Sequence, residues 1–422
     1  MYGGNTVINY KIEHENVFDE LVERGYFEQA TYEDELKELL GKEKIPFYIG
    51  FDATADSLTI GHFIQIMVMM RMQRHGHIPI ALLGGGTTMI GDPSGRNDMR
   101  LLMTKEIIDN NADRFAQQFA RFIDFGVDGG AIIDNNANWL LDLNFLDFMR
   151  EIGVHFSVNQ MLSLDAYKNR MDQGLTFFEF SYILMQSYDF LKLYRKYGCK
   201  LQMGGSDQWS NILGGYDLVR KIENDKVYAM TFKLLTTADG VKMGKSQKGA
   251  VWLDEEKTSP YELFQYMRNV DDRDVEKFLL MLTFLPTEEC KRLGALKDEK
   301  INEGKEVLAY EITKLVHGEE KAKQALETSK NLFASGATDE NMPSTEMDAS
   351  AFDEGMGLLA LLTELGLTKS NGEARRLIQQ NGIRLDGEVV ADPSKVITKE
   401  DFKEGELVIK KGKKVYHRVV IK

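Results

Sequence analysis

The sequence predicts an α/β fold built on a parallel sheet, followed by an all-helical region and a small α+β domain. Three observations carry this. Short apolar runs at 45–52, 78–83 and 131–134 alternate with longer helical patterns, the spacing of strands joined by crossover helices. From about 260 to 333 helix follows helix without a strand-like run. After 355 the chain changes to two short helices and several short strands set off by turn residues.

Residues 1–44 read as polar helices leading in, Val17 to Arg24 and Tyr32 to Leu40. The first strand, 45–52, places Phe47, Ile49 and Phe51 on one face and Tyr48 and Gly50 on the other. A polar turn, Asp52 to Ser57, follows, and an apolar helix then runs from Phe63 to Arg74, stopped by His75-Gly76. A second strand, Ile78 to Leu83, enters Gly84-Gly85-Gly86 directly. Helices are expected at Lys105 to Asp124 and Asn144 to Ile152, with a short strand at Ala131 to Asp134 between them. Residues 155–198 read as helical and dense in aromatics, and Lys200 to Trp209 repeats the order strand, glycine turn, helix start.

Thr258-Ser259-Pro260 opens the helical region. Residues 335–354 hold six acids, no base and one Pro among small residues, so a flexible linker is expected there. Beyond it lie a helix (Gly357 to Leu365), a cap cluster at Thr368-Lys369-Ser370, and a second helix (Glu373 to Gln380). Two turns of hairpin type follow, at Asn381-Gly382 and Asp386-Gly387. The expected domains are therefore 1–240, 241–334, the linker 335–354, and 355–422.

The chain has 422 residues and a formal charge of −14. The average hides a split, because residues 355–422 carry 13 Lys/Arg against 9 Asp/Glu. A locally basic tail on an acidic body is compatible with an RNA partner, since phosphate contacts act over about one Debye length. No apolar run reaches the ~18 residues of a membrane span. Cys199 and Cys290 make no disulfide framework, which points to a reduced, cytoplasmic setting. No HxxxH-like or clustered-Cys pattern suggests a metal held by the protein.

Ligands of open parallel sheets sit beyond the carboxyl ends of the strands, at a switch in strand order. The polar stretches that stand out all fall at such ends. Strand, turn, Gly61 and helix start form a place where free N–H groups and the helix dipole favour an anion. Asp92, in Ile90-Gly91-Asp92-Pro93, fits either an Asx turn or a carboxylate for an ammonium group. Lys242 and Lys245 on a glycine-rich loop fit either a solvated turn or a clamp on phosphates. Tyr182 and Gln186 share a helix face, with Asp189 one turn on. Asp207 at a helix start suits a ribose hydroxyl.

Leu58-Thr59-Ile60-Gly61-His62 resembles the HIGH signature of class I aminoacyl-tRNA synthetases, and Lys242-Met243-Gly244-Lys245-Ser246, about 180 positions later, resembles their KMSKS signature. Either is weak alone; in this order and spacing they are strong. Tyr48-Ile49-Gly50-Phe51-Asp52-Ala53-Thr54-Ala55-Asp56-Ser57-Leu58 narrows the similarity to the bacterial tyrosyl-tRNA synthetases. That resemblance implies a Rossmann-like catalytic domain and an RNA-binding domain of αL type at the C-terminus. It also implies activation of L-tyrosine by ATP, magnesium on the phosphates, transfer to tRNA(Tyr), and a homodimer with Trp139 and the Phe177 region at the interface.

The resemblance also assigns the residues. Tyr48 and Asp189 hold the substrate phenol, Asp92, Tyr182 and Gln186 its ammonium group, and Gln202 and Gln208 its carboxylate or the adenylate. His62, Thr54 and Thr59 lie by the ATP phosphates, with Asp52, Gly61, Gln65, Gly205 and Asp207 around the nucleotide. Lys242, Lys245 and Ser246 close over it. The resemblance leaves Arg96 and Arg100 unassigned: on the loop after Asp92 they fit either neutralisation of pyrophosphate or plain surface charge. Two departures stand out: Thr59 replaces the family's usual His, and Ile49 replaces a common Cys. Two rivals remain at this level. One is the tryptophanyl relative, disfavoured by Tyr48 and Asp189; the other is an RNA-binding module with a vestigial nucleotide site.

Overall fold

A computed structural model describes residues 10–93, 103–126, 129–164, 167–168, 171, 174–246, 249–335, 342–403, 405–412 and 415–422. The chain divides into two compact units. One comprises Met1–Gly244, Trp252–Asp254 and Asp271–Gly304; the other comprises Lys245–Val251, Glu255–Val270 and Lys305–Lys422.

The first unit is organised on a six-stranded sheet of β1 (Phe27–Ala30), β2 (Pro46–Phe51), β3 (Ile78–Leu83), β4 (Ile132–Asn135), β5 (Leu201–Gly205) and β6 (Tyr228–Phe232). The spatial order is β1-β6-β5-β2-β3-β4, parallel except for β1. The chain runs outward from β2 through β3 to β4, then returns to lay β5 and β6 on the other side. The β2–β5 seam is therefore the switch point of the sheet, and Tyr48 pairs there with Gln202. β2 is buried on both faces, as central parallel strands are, except at Gly50. Gly50 is exposed, and a Cβ built on it would meet nothing within 4 Å. Its side of the strand is Tyr48's side, so open space stands above Tyr48.

Pattern reading found neither β1 nor β6. β1 is a polar, antiparallel edge strand with no alternation to mark it. Helix Ile60–Arg74 starts three residues before the expected Phe63, because Thr59 rather than a later residue is its N-cap. The expected helix to Asp124 stops at Phe119, and 155–198 resolves into Val158–Leu162, Phe177–Phe180 and Tyr182–Tyr197 among the described residues.

The second unit holds helices Pro260–Arg268 and Glu319–Ser335 packed side by side. It also holds the C-terminal α+β layer, whose five-stranded sheet has the order β12-β11-β14-β15-β9. Its strands are β9 (Ser344–Met347), β11 (Ile383–Leu385), β12 (Glu388–Val389), β14 (Glu406–Lys411) and β15 (Val415–Ile421). The flexible linker expected at 335–354 is corrected over 342–354. β9 pairs in parallel with β15, a 3₁₀ turn follows at Ala349–Phe352, and Phe352 is buried. Acidic, Pro-containing composition marked these residues as unstructured, but Met342 and Phe352 supply the apolar anchors that composition averages away. Asp386-Gly387 is the two-residue hairpin turn expected, joining β11 to β12. Asn381-Gly382 is instead a helix C-cap: Asn381 is left-handed and the Gly382 N–H donates to the Leu377 carbonyl at 2.8 Å.

Candidate active site

The helix start after β2 fixes His62. The Thr59 backbone N–H donates to His62 Nδ1 at 3.0 Å, and the Thr59 hydroxyl lies 3.1 Å from the same nitrogen. A backbone N–H can only donate, so Nδ1 is the acceptor and the ring proton sits on Nε2. Burial lowers the His62 pKa to about 4, so the ring is a neutral Nε2–H donor at physiological pH. Thr59 thus caps the helix and sets the tautomer. Thr54 lies exposed on the preceding turn. Gly61 leaves room for the later loop: a Cβ there would stand 3.2 Å from the Met243 carbonyl. Gln65, one turn on, keeps a buried Oε1 without a hydrogen-bond partner.

A chain of hydrogen bonds lines the floor beside β2. Asp52 accepts from the Thr87 hydroxyl at 2.8 Å and from the Tyr182 hydroxyl at 3.2 Å. Asn136 Nδ2 donates to Thr87 Oγ1 at 3.0 Å and to Asp189 Oδ2 at 2.9 Å, and the Trp139 indole N–H donates to Asp189 Oδ1 at 2.7 Å. Gly84 makes this possible, since a Cβ there would fall 2.3 Å from Asp52 Oδ1. Burial raises the Asp189 carboxyl to about 8, against the lowering effect of the Asn136 and Trp139 bonds. Tyr48 is 1% exposed, stacks at a tilt 5.5 Å from Phe190, and its hydroxyl has no hydrogen-bond partner. Burial first, then the nearby Asp189 charge, push the phenol well above its ordinary range. Gln186 and Gln202 likewise keep buried Oε1 atoms without partners.

On the β5 side, Asp92 Oδ2 accepts from Gln208 Nε2 at 2.5 Å and its Oδ1 from Asn211 Nδ2 at 3.3 Å. Gly205 ends β5, and Asp207, in the 3₁₀ turn Ser206–Gln208, pairs with Lys242 at 2.9 Å. Lys245 and Ser246 lie in strand β7 (Lys245–Ser246), paired with β8 (Gly249–Ala250) in the second unit. Their side chains, with Arg96 and Arg100, lie outside the described residues.

The structure therefore brings together Tyr48, Asp52, Tyr182 and Asp189 around one floor, and Asp92, Gln208, Asp207 and Lys242 along its β5 edge. Sequence reasoning missed Thr87, Asn136 and Asn211, which connect these groups. The expected interface role of Trp139 is corrected: it is 7% exposed and serves Asp189 within the subunit. An aromatic's burial partner has no signature in a single chain. Phe177 and Phe178 are exposed.

Comparisons with known proteins fit this geometry. A family model described as "tRNA synthetases class I (W and Y)" matches residues 40–334, and one described as "Tyrosine--tRNA ligase SYY-like C-terminal domain" matches 334–419. A tyrosine–tRNA ligase of Lachnoclostridium phytofermentans is 61% identical over 404 residues, covering 96% of this chain and 98% of that protein. Its counterpart from Acetivibrio thermocellus is 57% identical over 404 residues, covering 96% and 99%. Among solved structures, a C-terminally truncated mitochondrial tyrosyl-tRNA synthetase of Aspergillus nidulans is 30% identical. It superposes with a TM-score of 0.69 and covers 76% of this chain and 95% of that one. With a family model spanning most of its length and such identity to curated enzymes, the chain belongs to the tyrosine–tRNA ligase family of class I aminoacyl-tRNA synthetases, whose co-substrate is ATP.

Proposed function

We propose that the residues above divide the two steps of tyrosine–tRNA ligation as follows. The observation that carries the assignment is the buried, partnerless Tyr48 hydroxyl beside Asp189, under the open space left by Gly50. A phenol O–H both donates and accepts, so it pairs with a carboxylate and a phenol together. Asp92, Tyr182 and Gln186 hold the substrate ammonium group. Gln202 and Gln208 turn toward its carboxylate, which then attacks the α-phosphate of ATP as the bond to pyrophosphate breaks. The attacking group is already ionised at pH 7, so the step needs positioning and charge on the leaving phosphates rather than a protein nucleophile.

His62 supplies a neutral Nε2–H to a phosphate oxygen, with Thr54 at the same end and Asp52, Gly61, Gln65 and Gly205 bordering the nucleotide. Thr59 acts through His62 by fixing its tautomer. Lys242 rests on Asp207 in the free chain. A ribose hydroxyl that engages Asp207 releases the ammonium to the pyrophosphate, joined by Lys245 and Ser246. Among the described residues no group of three or more His, Cys, Asp or Glu side chains could hold a metal ion. Magnesium enters on the phosphates of ATP, as part of the substrate.

Residues 1–240 act as the catalytic domain, the helices to 334 follow it, and 355–422 bind tRNA(Tyr). No helix among the described residues is long and apolar enough to cross a membrane, and the enzyme works in the cytoplasm. A homodimer is supported by apolar side chains left exposed at Phe145, Leu146, Val158, Phe177 and Phe178.

The test is tyrosine-dependent pyrophosphate exchange with Tyr48→Phe. An unpaired buried group costs about 1–3 kcal/mol, so selectivity for tyrosine over phenylalanine is expected to drop about 5- to 100-fold while the KM for ATP holds. Selectivity equal to the parent's overturns the assignment. A pH dependence follows as well. The phenol needs Asp189 ionised, and the carboxyl's raised pKa of about 8 keeps it protonated below that pH in the free protein. Tyrosine affinity therefore rises between pH 6 and 8 by up to about tenfold per unit, and the slope disappears in Asp189→Asn. Calorimetric titration giving a flat Kd over that window contradicts it.

A further inference from the structure

Helix Val275–Leu282 lies in the sheet-bearing unit and is tied at one end to helix Ile60–Arg74 and at the other to the hairpin that precedes the second signature. Past its C-terminal end, the Thr283 carbonyl accepts from the guanidinium of Arg71, in the last turn of helix Ile60–Arg74; so does Leu280, at 3.4 Å. Its N-terminal end holds the hairpin 235–243. That hairpin is closed by Met243 N–H to the Leu235 carbonyl at 2.8 Å and Thr237 N–H to the Val241 carbonyl at 2.8 Å. Asp274, 2% exposed, accepts the Ala238 N–H at 2.9 Å and pairs with Lys277 at 3.2 Å. Lys277 also donates to the Thr236 carbonyl, and Arg273 to Asp239 at 2.9 Å. The far end of the hairpin carries Lys242 and brings the Met243 carbonyl against Gly61. Helix Ile60–Arg74, the hairpin and helix Val275–Leu282 thus close a frame.

We propose that Asp274 is a positioning residue for the first reaction step. It holds the hairpin so that Lys242 stands ready beside the helix start that carries His62; the inference rests on the proposed role of Lys242 at the leaving phosphates. Ordering a lysine-bearing loop anew at each turnover costs conformational entropy for every residue fixed. A buried carboxylate that captures Ala238 fixes the hairpin before substrate arrives, and only a group present in the right place contributes to in-line transfer.

The experiment compares Asp274→Ala, Asp274→Asn, Lys242→Met and the double variant Asp274→Ala/Lys242→Met in pyrophosphate exchange, with hydrogen exchange at the Ala238 amide as a second readout. Asp274→Ala is expected to lower kcat about tenfold with the KM for tyrosine unchanged and to deprotect the Ala238 amide. Asp274→Asn keeps an acceptor oxygen and restores most of the rate. The double variant is no slower than Lys242→Met, because both changes act through one ammonium. Parental kcat in Asp274→Ala alongside a slow Lys242→Met overturns the positioning role alone. A parental rate in Lys242→Met overturns the phosphate role beneath it. If Asp274→Ala does not fold, Arg273→Ala, at an exposed side chain, takes its place. It is expected to lower kcat about threefold at unchanged KM, and no change in kcat overturns the proposal.

Discussion

A chain ending at Ser335 forms tyrosyl-adenylate at the parental rate and fails to charge tRNA, with a loss of at least about 100-fold expected from removing the basic phosphate contacts. The described residues of the candidate active site lie in the sheet-bearing unit, apart from the Lys245–Ser246 pair of the second unit, and all of them precede Ser335, so the first step keeps its machinery. Within the removed segment the basic charge is confined to 355–422, with 13 Lys/Arg against 9 Asp/Glu, while 336–354 hold six acids and no base, on a chain whose total charge is −14. An acidic body repels RNA, and the local excess of cations is what turns that around. The cut belongs at Ser335 rather than further on. β9 at Ser344–Met347 is a strand of the C-terminal sheet, and Met342 packs with Val408 and Tyr416. A cut inside 342–354 would leave apolar remnants and confuse loss of RNA contact with aggregation. Single-turnover assays of adenylate formation and of transfer, run side by side, separate the steps. Efficient transfer by the truncated chain would refute the assignment of the C-terminal layer to tRNA.

The second large effect is on stability. Arg71→Met destabilises the sheet-bearing unit by about 3–5 kcal/mol, the range for breaking a buried ion pair from one side. Arg71 is among the largest fully buried side chains. It donates to Glu20, to the Tyr26 hydroxyl at 3.1 Å and to the backbone carbonyls of Leu280, within helix Val275–Leu282, and Thr283, just past it. Methionine fills much of the volume but removes the Arg71 donor from the Thr283 carbonyl and the Tyr26 hydroxyl, while the Leu280 carbonyl keeps Arg24 at 3.3 Å. Glu20 keeps His75 at 2.7 Å and Arg24 at 3.4 Å, which limits the loss. The pH dependence has a definite sign. Burial raises the Glu20 carboxyl, but His75, Arg71 and Arg24 outweigh it and hold its pKa at about 2, below the ordinary 4.5. Its contribution is therefore complete above pH 4.5 and lost as the pH falls toward 2. Without Arg71 the acid transition moves to higher pH. Urea midpoints across pH 3–7 that coincide for parent and variant would contradict this account.

Much of the site was legible because it is local. Strand, polar turn, glycine and helix start occur within Tyr48 to His62, and each has a physical cause readable from neighbouring residues. The i, i+4 spacing of Tyr182 and Gln186 needs only a helix. Thr59 shows the limit: the chain supplies a hydroxyl where the resemblance leads one to expect an imidazole, yet the hydrogen bond that fixes His62 comes from the Thr59 backbone, which substitution does not touch.

The sequence by itself determined strands β2 to β5, though not β1 or β6, the helices between them to within a few residues at their ends, and that acidic and basic groups gather at strand ends, because periodicity and capping are decided within a few residues. Tertiary structure alone decided that Tyr48 pairs with Gln202, that Asn136 and Trp139 are the partners of Asp189, that β9 completes the C-terminal sheet, and that Arg71 and Ala238 are bonded to the two ends of the segment around helix Val275–Leu282. Those contacts join residues dozens to hundreds of positions apart. Which buried donor meets which buried acceptor depends on the order of strands and the packing of side chains, and no local pattern encodes either.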